Sequence, residues 1–124
     1  MSNIKKIQKI LKGSLRENVS LRDYNTWKVG GEAEYFYEPY DLKDLKLFLE
    51  LLKNTPITFL GNGSNVLIRD GGINGCVIFL KNTLNNYLHK NEEYFFEAGL
   101  SCMKIAQITA RENHQGLEFL CGIP

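Results

Sequence analysis

The sequence predicts an α+β fold, on three observations. Two stretches place apolar residues at helical spacing behind a capping residue. Five short runs are rich in β-branched and aromatic residues, as strands are. The two kinds of element follow one another without a strict strand–helix–strand rhythm, which favours α+β over a doubly wound sheet. With 124 residues the chain suffices for one small domain with a real core.

Taken in order, residues 1–13 set Ile4, Ile7, Ile10 and Leu11 at helical spacing among Lys5, Lys6, Lys9 and Lys12. That pattern predicts an amphipathic helix and not a secretion signal, whose apolar residues form one block. Residues 1–14 are thus expected as an N-terminal helix preceding a body over 15–124. Glu34-Tyr35-Phe36-Tyr37-Glu38 reads as a strand ended by Pro39. Asp41 suits the N-cap of a helix whose Leu42, Leu45, Phe48, Leu49 and Leu52 form one apolar stripe. Residues 57–60 and 66–68 read as strands entering and leaving a polar loop, and residues 76–80 and 94–97 as two more, joined through an Asn-rich connection at 82–86. Ser101 can cap a further helix holding Met103, Ala106, Ile108 and Ala110, ended by Gly116.

Composition narrows the function classes. Net charge is +1 with both signs interspersed, so neither a nucleic-acid nor a membrane surface is expected, and no apolar run has the length to cross a bilayer. The cysteines Cys76, Cys102 and Cys121 are odd in number and form no C-x-x-C pair, which argues against a disulfide scaffold and a zinc site. A reducing cytoplasm is the expected setting. Cys76 reads as a small buried hydrophobe. His89 and His114 stand in polar surroundings with no ligand partner at a useful spacing, so both are expected at the surface and no metal site is expected.

The most informative stretch is Gly61-Asn62-Gly63-Ser64-Asn65-Val66, a glycine- and asparagine-rich loop between two apolar runs. Gly61 and Gly63 can adopt φ > 0 without a Cβ clash, so consecutive N–H groups can converge on a phosphate or pyrophosphate, and the Ser64 hydroxyl adds a donor. No lysine lies between Gly61 and Asp70, which excludes a Walker loop, and the β-branched run that follows does not open a helix as a dinucleotide fingerprint does. A plain hairpin connection is the alternative. Two further clusters accompany it: Asn25-Thr26-Trp27-Lys28-Val29-Gly30-Gly31, whose double glycine permits a close backbone approach, and Gly116-Leu117-Glu118-Phe119-Leu120-Cys121-Gly122-Ile123-Pro124.

In this order and spacing, the three clusters resemble the UDP-N-acetylenolpyruvoylglucosamine reductases (UDP-N-acetylmuramate dehydrogenases). Members read N-T-aromatic-x-V-G-G, then L-G-x-G-S-N-x-L-x-R-D-x-G-x-x-G, then G-L-E-x-x-x-x-I-P, matched here by residues 25–31, 60–75 and 116–124. The resemblance covers residues 15–124 and implies the first portion of an FAD-binding fold of the p-cresol methylhydroxylase and vanillyl-alcohol oxidase type, incomplete at its C-terminus. It implies cofactor-binding roles for Gly61, Asn62, Gly63, Ser64, Asn65 and Val66 at the pyrophosphate and for Gly122, Ile123 and Pro124 near the flavin ring. No histidine lies between Gly61 and Gly75, where related covalent flavoproteins attach the cofactor, so non-covalent FAD is expected. The implied reaction uses NADPH as co-substrate to reduce UDP-N-acetylglucosamine enolpyruvate to UDP-N-acetylmuramate, a bacterial cytoplasmic step of peptidoglycan synthesis on which cell-wall biogenesis, cell shape and cell division depend.

The serine, arginine and glutamate that perform this chemistry in the family fall beyond the matched residues, so no catalytic residue is assigned here. Ser64 matches the pyrophosphate loop and Ser101 reads as a helix cap. A chain with only part of the cofactor envelope is expected to bind FAD poorly, to lack turnover, and to expose apolar surface that favours self-association. Two other readings stand beside this one: a flavin-dependent oxidase of the same fold, and a non-catalytic nucleotide-binding or assembly module.

Overall fold

The computed structural model describes residues 3–123. Its body is a four-stranded sheet of β1 (Ser14–Ser20), β2 (Glu32–Glu38), β3 (Ile57–Leu60) and β4 (Ile73–Phe79), in the order β1-β2-β4-β3. β1 runs antiparallel to β2, pairing Leu15 with Tyr37 and Val19 with Ala33. β2, β4 and β3 are mutually parallel. β4 is therefore central, and its residues from Gly75 to Phe79 are all buried, as expected of a strand covered on both faces.

Alternation along β2 and β4 separates two cores. On one face Tyr37, Cys76 and Ile78 meet Ile4, Ile7 and Leu11 from α1 (Asn3–Ile10) and the turn after it, with Leu45, Phe48 and Leu52 from α2 (Leu42–Leu51) and its C-cap. Phe48 has no exposed surface and stacks on Tyr37 at 3.9 Å between ring centroids. The opposite face collects Leu21, Phe36, Ile68, Val77 and Phe79, with the Tyr24 ring 4.4 Å from Phe36 and 5.1 Å from Phe79. Beyond the sheet, β5 (Tyr87–Lys90) and β6 (Glu93–Phe96) form an antiparallel hairpin, followed by α3 (Cys102–Arg111) and a 3-10 turn over Glu118–Gly122 packed on α3. The α+β class follows from these elements. No helix among the described residues is long and apolar enough to cross a membrane.

Both predicted caps are present, Asp41 accepting from the Asp44 N–H at 2.8 Å and Ser101 Oγ from the Lys104 N–H at 3.2 Å. Several expectations need correction. Residues 66–68 form no strand: half-buried Val66, exposed Leu67 and buried Ile68 alternate as a strand would, but no neighbouring strand pairs with them. They belong to the long connection that parallel β3 and β4 require, since such strands cannot be joined by a tight hairpin. The last helix closes at Arg111 and not at Gly116, with the Glu112 N–H returning to the Ile108 carbonyl. β1 and β5 were not expected, because their sequences show no clean apolar alternation. Residues 1 and 2 of the expected N-terminal helix lie outside the described residues.

His89 also departs from expectation. It is half-buried, stacked on Tyr94 at 4.0 Å, with Nδ1 2.7 Å from Glu112 Oε2. Tyr94 and Tyr87 donate hydroxyls to the same carboxylate, tying the hairpin to the end of α3. The Tyr94 hydroxyl, followed by the Tyr87 hydroxyl and the His89 imidazole, holds the Glu112 carboxyl below its ordinary range against partial desolvation. His114 is exposed, edge-on to His89. The expected exposed apolar surface is an open groove of about 510 Å3 lined by Leu42, Phe59, Leu80, Leu84, Phe95 and Phe96.

Asp44 is the buried charge that joins the helices to the sheet. It is 4% exposed and accepts from the N–H groups of Lys12 (2.8 Å), Gly13 (2.8 Å) and Tyr40 (3.0 Å) and from the Tyr37 hydroxyl. Burial by itself raises the carboxyl pKa, but these four donors outweigh it and hold the group below its ordinary value. A carboxyl depressed in the folded state stabilises fully above its unfolded pKa, and that contribution is lost as pH falls through the folded one. Asp44→Asn, which turns an NH2 towards N–H donors, is expected to cost about 2–4 kcal/mol in urea denaturation at neutral pH. The wild-type margin over this variant is expected to shrink below about pH 4; a difference independent of pH would contradict this role for Asp44.

Candidate functional site

The connection from β3 to β4 crosses one face of the sheet, and residues 21–31 pack along it. Contact is backbone to backbone. The Thr26 N–H donates to the Gly63 carbonyl at 2.9 Å and the Gly31 N–H to the Arg69 carbonyl at 2.9 Å. A Cβ on Gly63 would stand 2.0 Å from the Tyr24 carbonyl oxygen, on Gly31 2.2 Å from that of Asp70, and on Gly72 2.0 Å from that of Glu32. Each position admits only glycine on space alone. Gly63 adds φ +67°, which L side chains rarely adopt. Buried Asn25 closes the 21–31 segment on itself, its Nδ2 donating to the carbonyls of Leu21 (2.7 Å) and Val29 (2.9 Å). The first two sequence clusters are thus one structural unit.

Among the described residues, no N–H from Gly61 through Val66 donates to a protein acceptor. Gly61 and Asn62 are exposed, Gly63 is buried, Ser64 is half-buried, Asn65 is exposed and Val66 half-buried. Gly61 contrasts with Gly63, since a Cβ there would meet nothing within 4 Å. Asn62 lines two adjoining clefts, one of about 150 Å3 with Tyr24, Thr26 and Phe79, the other of about 320 Å3 with Asn82, Asn85 and Ser101. Lys81, not among the residues the sequence singles out, lines both. A lysine after an apolar strand carries no signal of its own.

The remaining candidates lie elsewhere. Gly122 and Ile123 are exposed at the end of the 3-10 turn and line neither cleft, and Pro124 lies outside the described residues. Cys76 is fully buried and its thiol is pushed up to about 12 by that burial, which makes it an inert core residue. Among the described residues, no cluster of His, Cys, Asp or Glu could hold a metal ion.

Curated relatives match nearly the whole chain. A UDP-N-acetylenolpyruvoylglucosamine reductase of Nitrosococcus oceani is 45% identical over 116 residues, 92% of this chain and 39% of its own length. That of Nitrosomonas eutropha is 40% identical over 121 residues, 93% and 36% of the two chains. This chain is homologous to the N-terminal part of those reductases. A solved structure agrees: the crystal structure of the UDP-N-acetylenolpyruvylglucosamine reductase of Thermus caldophilus superposes with TM-score 0.62 at 28% identity, over 92% of this chain and 39% of that one. No protein-family model matches. The chain spans less than two fifths of the length of these reductases.

The two loop glycines make a paired test. Gly63→Ala is expected to cost at least about 2 kcal/mol in urea denaturation, from strain and backbone clash. Gly61→Ala is expected to change stability by less than about 1 kcal/mol. Equal losses at both positions would contradict the packing described.

Proposed function

We propose that residues 15–124 are the first portion of an FAD-binding fold of the p-cresol methylhydroxylase and vanillyl-alcohol oxidase type, and that Gly61, Asn62, Gly63, Ser64, Asn65 and Val66 hold the FAD pyrophosphate. The observation that carries this is the run of loop N–H groups without protein acceptors, beside the open space over Gly61. The donor set fits the group: neutral N–H dipoles on a fixed backbone, with the Ser64 hydroxyl, suit phosphoryl oxygens, and the missing side chain at residue 61 leaves them room. Gly122, Ile123 and Pro124 are assigned to the neighbourhood of the flavin ring. Binding is non-covalent, since no histidine stands between Gly61 and Gly75.

The activity proposed is that of the reductases the chain matches: NADPH-linked reduction of UDP-N-acetylglucosamine enolpyruvate to UDP-N-acetylmuramate, a cytoplasmic step of bacterial peptidoglycan synthesis. When bound, FAD supplies the hydride relay between the nicotinamide and the enolpyruvyl double bond. This chain's part is to anchor and orient the dinucleotide through the loop, on a platform that the 21–31 segment keeps rigid. No residue here is given a role as acid or as stabiliser of the developing enolate, so the isolated polypeptide is assigned weak FAD binding and no turnover.

Nuclear magnetic resonance of the isotope-labelled chain tests the reading, since it registers weak ligands. FAD is expected to move the amide signals of residues 61–66, whereas adenosine, which has no phosphate, leaves them in place. Signals unmoved by FAD at high-millimolar concentration would overturn the pyrophosphate assignment. Oxidation of NADPH by the chain alone with the UDP-enolpyruvyl sugar would overturn its assignment as inactive.

A further inference from the structure

A diphosphate brings at least two negative charges to this loop, and residues 61–66 contain no cation to meet them. Phosphate loops that end in lysine solve this within the loop itself. We propose that Lys81 and Lys104 supply the missing charge from outside it, making the groove between them the anion-facing side of a nucleoside-diphosphate site. The inference rests on the reading that residues 61–66 hold the diphosphate.

Sheet register puts Lys81 beside the loop. Leu60 pairs with Phe79, and the Leu80 N–H donates to the Leu60 carbonyl at 2.9 Å, so the chain leaves β4 at Leu80 where it leaves β3 at Gly61, and Lys81 follows beside Asn62. Lys81 and Asn62 together line both clefts. Lys104, in the first turn of α3, lines the larger cleft, and its place is set by the cap in which its N–H donates to Ser101 Oγ. The remainder of that lining is asparagine, glycine, serine and leucine, with no carboxylate. Asp23 lines only the smaller cleft, so the negative charge of a ligand is favoured on the Lys104 side.

Neither lysine belongs to an ion pair among the described residues, whose two pairs are Arg16–Glu38 and His89–Glu112. Two like charges lining one groove without a carboxylate raise its positive potential, and an anion seated between them relieves their repulsion. Screening by salt must then weaken the binding. Ordinary solvated surface lysines would show neither a shared ligand nor that salt response.

The test titrates ADP into the isotope-labelled wild-type chain, Lys81→Gln, and Lys81→Gln/Lys104→Gln. Both side chains are exposed, so the variants are expected to melt as the wild type does. In the wild type, amide signals of residues 61–66 and of residues 82 and 99–103 should move together with one affinity, weakening as salt is added. The double variant should bind about tenfold more weakly, with a flatter salt dependence. If loop signals move while affinity and salt dependence are the same in all three proteins, the lysine assignment falls and the loop reading stands. Movement of the groove signals alone, lost in the double variant, would keep the lysines as an anion site and overturn the loop reading. Silence of both sets at high-millimolar ADP would overturn both.

Discussion

The region around the candidate site depends on one backbone lying directly against another. Where Gly31, Gly63 and Gly72 stand, the opposing carbonyl oxygens come within 2.2 Å of where a Cβ would be, well inside any contact that real atoms make. Main chain packed this closely needs its polar groups paired across the seam, which the bonds from Thr26 to Gly63 and from Gly31 to Arg69 provide. Asn25 then holds the covering segment in shape from within. The β3–β4 connection is thereby pressed flat on the Phe36–Val77–Phe79 face, and the burial of Ile68 adds to that hold.

A loop fixed from beneath has only its outer side left for a ligand. Among the described residues the N–H groups of residues 61–66 have no protein acceptor, and a buried N–H left unpaired costs about 1–3 kcal/mol. Gly61 and Gly63 sit two residues apart in the same motif with unlike reasons for being glycine. At Gly63 the protein itself leaves no room for a side chain. Open space lies over Gly61, so the fold itself does not require glycine there.

Two carboxylates organise the rest of the molecule in contrasting ways. Asp44 is buried with four donors and locks the α1–β1 junction to α2, so its charge is structural and its loss is felt throughout the core. Glu112 gathers Tyr87, Tyr94 and His89 at the edge of the hairpin, where water competes for the same groups. Surface ion pairs of that kind contribute at most about 1 kcal/mol. The hairpin and α3 are thus joined more loosely than the sheet is to its helices.

Local chemistry made part of this legible. Asp41 and Ser101 announced their helices because a side-chain cap needs only the next turn, and residues 57–60 and 76–80 announced strands because β-branched and aromatic residues favour extended backbone, in the buried β4 and the mostly exposed edge strand β3 alike. The glycine and asparagine spacing at 61–65 announced a tight loop for the same reason. Elsewhere the deciding partner is remote in sequence. Residues 66–68 have a strand's alternation but no sheet edge to pair with, while β1 lacks the alternation and becomes a strand because β2 accepts it. His89 met Glu112, and Lys81 came beside Asn62, only once hairpin, helix and sheet register were in place. Sequence alone determined which segments could turn, cap or bury themselves; which backbones touch, and so which N–H groups stay free for a ligand, was decided by the tertiary structure, because that depends on distances between residues that no local pattern encodes.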